Sequence, residues 1–308
     1  MRLRRVGMAV ALWLAAGAAA AQDPQAPTRD FELGLRWWAN TGTTQRSHDA
    51  SGIDPTVGNP TSTLAYTNLD ANAGELFARK KLGERWFVKG NVGLGRVNTG
   101  TFTDQDFFFS PTGVPLMTQT VSSVDGKLSY ATIDFGRDLW KAGAATFALF
   151  AGFQHWNERL DAHGFSDSFG PSALPPSVPV IRNDLTWQSL RFGGEARIER
   201  GRQRFVVEVA AVPYAKYRNE DSHYLRQDPS DLGPAPNVIA DGHGWGVQAE
   251  AEWRVEVPKV KGLEFGLGYR YWRLESQSGN QSQAGFTFPI TELWSERHGF
   301  TLSLNKSW

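Results

Sequence analysis

Residues 244–257 read "GWGVQAEAEWRVEV", and this run constrains the fold more than any other. Trp245, Val247, Ala249, Ala251, Trp253, Val255 and Val257 take the odd positions. Gln248, Glu250, Glu252, Arg254 and Glu256 take even ones. A period of two puts these sets on opposite faces of a strand, and no helix sorts them this way. The apolar face carries Trp near each end, and the polar face carries both signs of charge. Lipid outside, aromatic girdles at its borders and a charged lumen inside account for both faces.

The same pattern recurs along the chain. "GLEFGLGYRYW" sets Leu263, Phe265, Leu267, Tyr269 and Tyr271 against Glu264, Gly266, Gly268, Arg270 and Trp272. "YATIDFGRD" sets Ala131, Ile133 and Phe135 against Thr132, Asp134 and Asp138. Ten strands are expected, near 30–42, 64–80, 84–104, 121–138, 144–160, 183–199, 203–221, 240–258, 261–277 and 294–308. Short turns at "KKLGER", "WKAGAA", "ERGRQ" and "PKVKG" alternate with long polar stretches at 43–63, 105–120, 161–182, 222–239 and 278–293. This predicts an all-β fold: a ten-stranded antiparallel up-and-down transmembrane β-barrel with long extracellular loops. Several strands exceed the roughly 9–11 residues that a bilayer requires, so the barrel should rise above it on the loop side. A ten-stranded lumen should be filled by side chains, which disfavours a general porin.

Targeting and composition agree. "MRLRRVGMAVALWLAAGAAAAQ" has a basic start, an apolar run and small residues ending at Ala21, the pattern of a signal peptide over residues 1–21. Residues 22–308 then form a single barrel domain. There is no cysteine, so disulfides do not hold the fold. The 32 basic and 32 acidic residues balance, which argues against a nucleic-acid partner. The ending "HGFTLSLNKSW" resembles the assembly signal of bacterial outer-membrane barrels. The expected location is the Gram-negative outer membrane, with its lipid as partner.

Two polar stretches carry candidate chemistry. "TFTDQDFFF" ends strand three with Asp104 and Asp106, and "YRNEDSHYL" ends strand seven with Asp221 and His223. Each pair has strand spacing, so its members project to one side, and both pairs fall at the loop-side rim. A carboxylate beside an imidazole stabilises its protonated form. Two neighbouring carboxylates share a proton and can position water. Together such groups could activate water against a peptide bond. A solvated rim is the commoner outcome for such motifs, and Asp104 with Asp106 could instead hold calcium. Simple alternation puts Asp221 on the face of Val207 and Val209, and Asp104 on that of Val92 and Leu94. Both strands therefore need a bulge to turn the acids inward.

With "TDQDF" after strand three and "DSHY" after strand seven, the chain resembles the omptins, ten-stranded outer-membrane proteases of Gram-negative bacteria. "LSYATIDFGRDLWKAGAATFALFAGFQ", "NLDANAGELF" and "VKGNVGLG" are similar to the family's intervening strands. The resemblance implies an aspartyl-type endopeptidase acting on peptide or protein substrates. His223 would be the general base, Asp221 would orient it, and Asp104 and Asp106 would hold the water or the oxyanion side. The family cleaves beside basic residues through acids that this chain does not match: Asn219 stands two positions before Asp221, and Glu220 is off register. The resemblance also implies dependence on lipopolysaccharide, toward which His155 and Arg159 are out of register with the family's Arg. No other cofactor and no metal is implied. The alternative is a non-enzymatic barrel of the same lineage: an adhesin, a structural barrel or a narrow channel.

Overall fold

The computed structural model describes residues 29–308; the expected signal peptide lies outside the described residues. Ten strands follow in order: β1 Phe31–His48, β2 Val57–Leu82, β3 Trp86–Phe109, β4 Pro115–Ala142, β5 Ala145–Asp167, β6 Ala173–Arg200, β7 Gln203–His223, β8 Val238–Glu256, β9 Leu263–Gln283 and β10 Phe286–Ser307. Each pairs antiparallel with its neighbours, and β1 pairs with β10 to close the barrel. Closure pairs the backbone groups of every strand, which lipid would otherwise leave unsatisfied.

The faces sort as the alternation requires. Leu35, Ile133, Phe135, Leu304 and Phe265 are exposed, whereas Arg36, Thr132, Asp134, Glu264 and Arg270 are buried in the lumen. Through the strand registers, Phe265, Leu304, Leu35, Leu76 and Val92 form one apolar row along the outer wall. Exposed Trp86, Trp140, Trp253 and Trp308 border this band near the turns, and Trp37, Tyr214 and Trp245 border it on the loop side. An exposed belt of this kind is stable only against hydrocarbon. Leu35→Arg is expected to destabilise the barrel by roughly 2–4 kcal/mol, the cost of a cation near mid-bilayer. Urea unfolding in lipid vesicles measures it, and a change under about 0.5 kcal/mol would place Leu35 outside the lipid face.

The turns and loops differ in one respect from expectation. Gly83 at φ 72° and Gly201 at φ 58° let two of the short turns close tightly. On the other side the connecting stretches are long, but most of their length is paired strand. The unpaired segments are only 49–56, 110–114, 168–172, 224–237 and 284–285. Above the bilayer both faces of a strand meet polar surroundings, so the apolar contrast that marks a strand fades while the ladder continues.

The lumen is filled in layers. Nearest the turns, Arg36 donates to Glu75 at 2.8 Å, Arg270 to Glu75 at 2.7 Å and Arg204 to Glu264 at 2.7 Å. A cavity of about 110 Å³ lies within this charged layer. Above it, Trp272 packs against Trp38, Tyr130 and Trp156 with ring centroids 5.1, 5.0 and 5.7 Å away. Above these rings, Arg297 donates to Glu158 at 2.6 Å, and Thr44 donates to the other oxygen of Glu158 at 2.6 Å. The rim of the barrel lies beyond this pair, where Arg46, Leu64, Tyr66 and Asp221 are buried.

Candidate functional site

Bulges decide which way the rim residues point. On β7, Arg204, Ala210 and Val212 face the lumen. The register with β8 then breaks between Val212 and Ala215, and Ala215, Tyr217, Asn219 and Asp221 face inward above the break. Pro213, which has no N–H for the ladder, sits in the break. On β3, Val97 faces inward, the register with β4 breaks between Val97 and Thr101, and buried Phe102 leads the inward set above. Asp104 and Asp106 share the parity of Phe102. β2 is irregular at the same level, where Asn68 takes φ 52°. The two bulges that the sequence requires are therefore present, and both acid pairs turn toward the lumen.

The sheet arranges the rim in rows. Arg46 on β1 pairs with Leu64 on β2, which pairs with Asp104 on β3; one step higher, His48 pairs with Ser62 and Ser62 with Asp106. Ser62 Oγ donates to Asp104 Oδ1 at 3.4 Å. Across the lumen, Asp221 on β7 pairs with Asn183 on β6 and Val238 on β8. An ion pair from Arg46 to Asp221 spans the mouth between the two sides.

Asp221 is fully buried and heavily partnered. Arg46 Nη2 donates to Oδ2, while Asn183 and Asn219 donate to Oδ1 at 2.8 and 2.7 Å. No hydrogen bond joins Asp221 to the His223 ring, so the orienting contact that the resemblance implies for Asp221 is not made here. The ring Nδ1 of His223 is buried and has no partner among the described residues. Its backbone N–H donates to Asn237 Oδ1 at 3.0 Å, which fixes the end of β7. Glu220 faces away and accepts from Arg218 at 2.7 Å. On the outer wall, Arg159 donates to Asp184 at 2.7 Å, so its charge is already matched, and His155 pairs with Ala131 within the apolar wall.

Protonation at the rim follows burial. Asp104 is pushed up to about 7, first by burial and then by the charge of Asp106. Burial also raises Asp106, against the opposing pull of Ser62, Arg226 and His223. Burial lowers the His223 imidazole, and Asp221 pulls it back. Asp104 therefore feels the charge of Asp221, and Asp106 that of His223, across the mouth. Asp104 carries a proton near neutrality, and His223 is largely neutral there. A raised acid favours the fold below its unfolded value, and that contribution is lost as pH rises through about 7. Asp104→Asn should therefore stabilise the barrel at pH 8 by about 1–2 kcal/mol, a discounted figure for a carboxyl partly open to water, and leave it unchanged at pH 4. Melting curves at the two pH values test this; equal shifts would mean that Asp104 ionises normally.

Two buried rim residues carry no signal in the linear motifs. Arg46 and His48 lie in the stretch expected to be loop, and their partners are distant in sequence. His48 is lowered to about 4 by burial and by Arg46.

No family model and no curated sequence matches the chain. Among solved structures, it is similar to the outer membrane protease OmpT from Escherichia coli, with a TM-score of 0.68 and 12% identity over 94% of this chain and 100% of that one. At that identity the likeness concerns the fold alone. It is also similar to the translocator domain of the autotransporter NalP from Neisseria meningitidis, with a TM-score of 0.37 and 8% identity over 89% of this chain and 88% of that one. That second likeness is too loose to carry an argument.

Proposed function

We propose that this chain is an outer-membrane endopeptidase of the omptin type, working in the mouth of a Gram-negative outer-membrane barrel. One observation carries the reading: an Asp–Asp pair and an Asp–His pair, from strands on opposite sides of the barrel, are turned by bulges into one mouth above the apolar band. The fold likeness to a solved outer membrane protease supports it.

In this reading water sits between His223 and the Asp104–Asp106 pair. The neutral imidazole takes a proton as the water oxygen attacks the peptide carbonyl carbon. The proton held by the aspartate pair stabilises the developing oxyanion. The imidazolium then returns its proton to the leaving amine as the C–N bond breaks. Asp221 acts at a distance, its charge favouring the imidazolium. Lipopolysaccharide is the proposed surrounding lipid of the outer leaflet. The test is cleavage of a mixed peptide pool by refolded protein, with and without lipopolysaccharide, against His223→Ala and Asp104→Ala.

The second reading is a barrel of the same fold without catalysis. It is favoured by one observation: Asp221 spends its oxygens on Arg46, Asn183 and Asn219 rather than on His223. Absence of cleavage above the protein-free control by all three proteins would decide for it.

A further inference from the structure

Arg46 is buried to within 4% of full enclosure, yet it uses little of its hydrogen-bonding capacity. Its guanidinium has five N–H donors in a planar fork. Nη2 donates to Asp221, while Nε and Nη1 are buried without a partner among the described residues. Leaving buried donors of a charged group unpaired is costly. An acceptor pair matched to a guanidinium edge would relieve that cost. A carboxylate has this shape and charge, and binds such an edge with two parallel hydrogen bonds.

The surroundings favour an anion there. Among the described residues the one carboxylate touching Arg46 is Asp221, whose oxygens are already taken by it and by two amide donors, Asn183 and Asn219. His48, on the same strand, is neutral near pH 7. Gln281 Nε2 lies 3.4 Å from His48 Nδ1 and adds another neutral polar group to this wall. A basic side chain entering beside Arg46 would meet its charge directly, whereas the Asp104–Asp106 pair lies two strands away along the row and shares a proton near neutrality.

We infer that Arg46 makes this mouth select peptides with a carboxylate side chain, Asp or Glu, next to the bond held by the Asp–Asp and Asp–His pairs. The inference rests on the endopeptidase reading for its location. It concerns substrate charge and is separable from turnover. Arg46 acts as a specificity-determining residue, and the preference it imposes is for acidic rather than basic neighbours.

The experiment uses refolded full-length barrel in micelles containing lipopolysaccharide. Its probes are three fluorescent alanine-rich peptides, capped at both ends, with a central Glu, Arg or Ala. Anisotropy gives binding, and product analysis gives cleavage, at roughly 0.15 M salt. The Glu peptide is expected to bind about tenfold more tightly than the Arg peptide, a difference of about 1.4 kcal/mol. Arg46→Gln should abolish the preference. Arg46→Lys keeps the ion pair with Asp221, guards against misfolding, and should retain a reduced preference because it lacks the planar fork. Equal or weaker binding of the Glu peptide by the wild type overturns the inference, as does an unchanged preference in Arg46→Gln. Binding of the Glu peptide without any cleavage would instead overturn the endopeptidase reading and leave the charge selection standing.

Discussion

His223→Ala is expected to lower kcat/KM for peptide cleavage by about 10²–10⁴-fold, the usual worth of a positioned general base. The variant should fold, since the ring makes no hydrogen bond among the described residues and the backbone N–H that binds Asn237 remains. The pH profile gives the sharper signature. Burial lowers the imidazole, so the acid limb should lie below the ordinary value of 6.5. Asp104 is pushed up to about 7, so activity should fall again on the alkaline side as the aspartate pair sheds its proton. Asp106→Asn removes a like charge that raises Asp104, which should move the alkaline limb toward acid. Burial is the larger cause of the shift, so the limb should move only part of the way to an ordinary carboxyl. A profile that stays flat up to about pH 9 would remove the aspartate pair from the chemistry, and an acid limb at or above 6.5 would remove the buried imidazole.

The barrel was largely legible because lipid forces a simple code. Where one face meets hydrocarbon and the other a charged lumen, strict alternation follows, and Ile133 with Asp134 or Trp253 with Arg254 report their faces directly. Above the bilayer that contrast disappears. Residues 43–48 and 57–63 consequently read as loop although they are paired strand. The need for bulges could be argued from the conflict between Val209 and Asp221, but not their positions. Pro213 in mid-strand is the one local mark of the β7 bulge, because it cannot supply a ladder N–H.

The site was legible as two pairs and hidden as an assembly. Spacing two apart ensures that Asp104 and Asp106 share a side, as do Asp221 and His223. Nothing local joins Arg46 to Asp221, which are 175 residues apart. That contact arises only when β1 and β7 face each other across a closed ring. It gives Asp221 a partner other than His223.

Glu158→Leu is expected to destabilise the barrel by about 3–5 kcal/mol, the cost of leaving a buried partner charge uncompensated. Glu158 and Arg297 are both fully enclosed, and Glu158 is the only acid that Arg297 contacts among the described residues. Arg297 also donates to the Leu69 carbonyl at 2.8 Å, next to the irregularity at Asn68. The pair therefore couples β10 and β5 to the bend of β2, just below the mouth. The double variant Glu158→Leu/Arg297→Met should recover most of the loss, because apolar packing of similar volume replaces a buried ion pair at little net cost. Urea unfolding of the single and double variants measures the difference. If the double variant is as unstable as the single, the pair's value lies in its hydrogen bonds to Thr44 and Leu69 rather than in charge compensation. The double variant also tests whether the mouth depends on that charge. Asp104 and Asp221 are set by the bulges on their own strands, so a recovered barrel should keep its peptide cleavage.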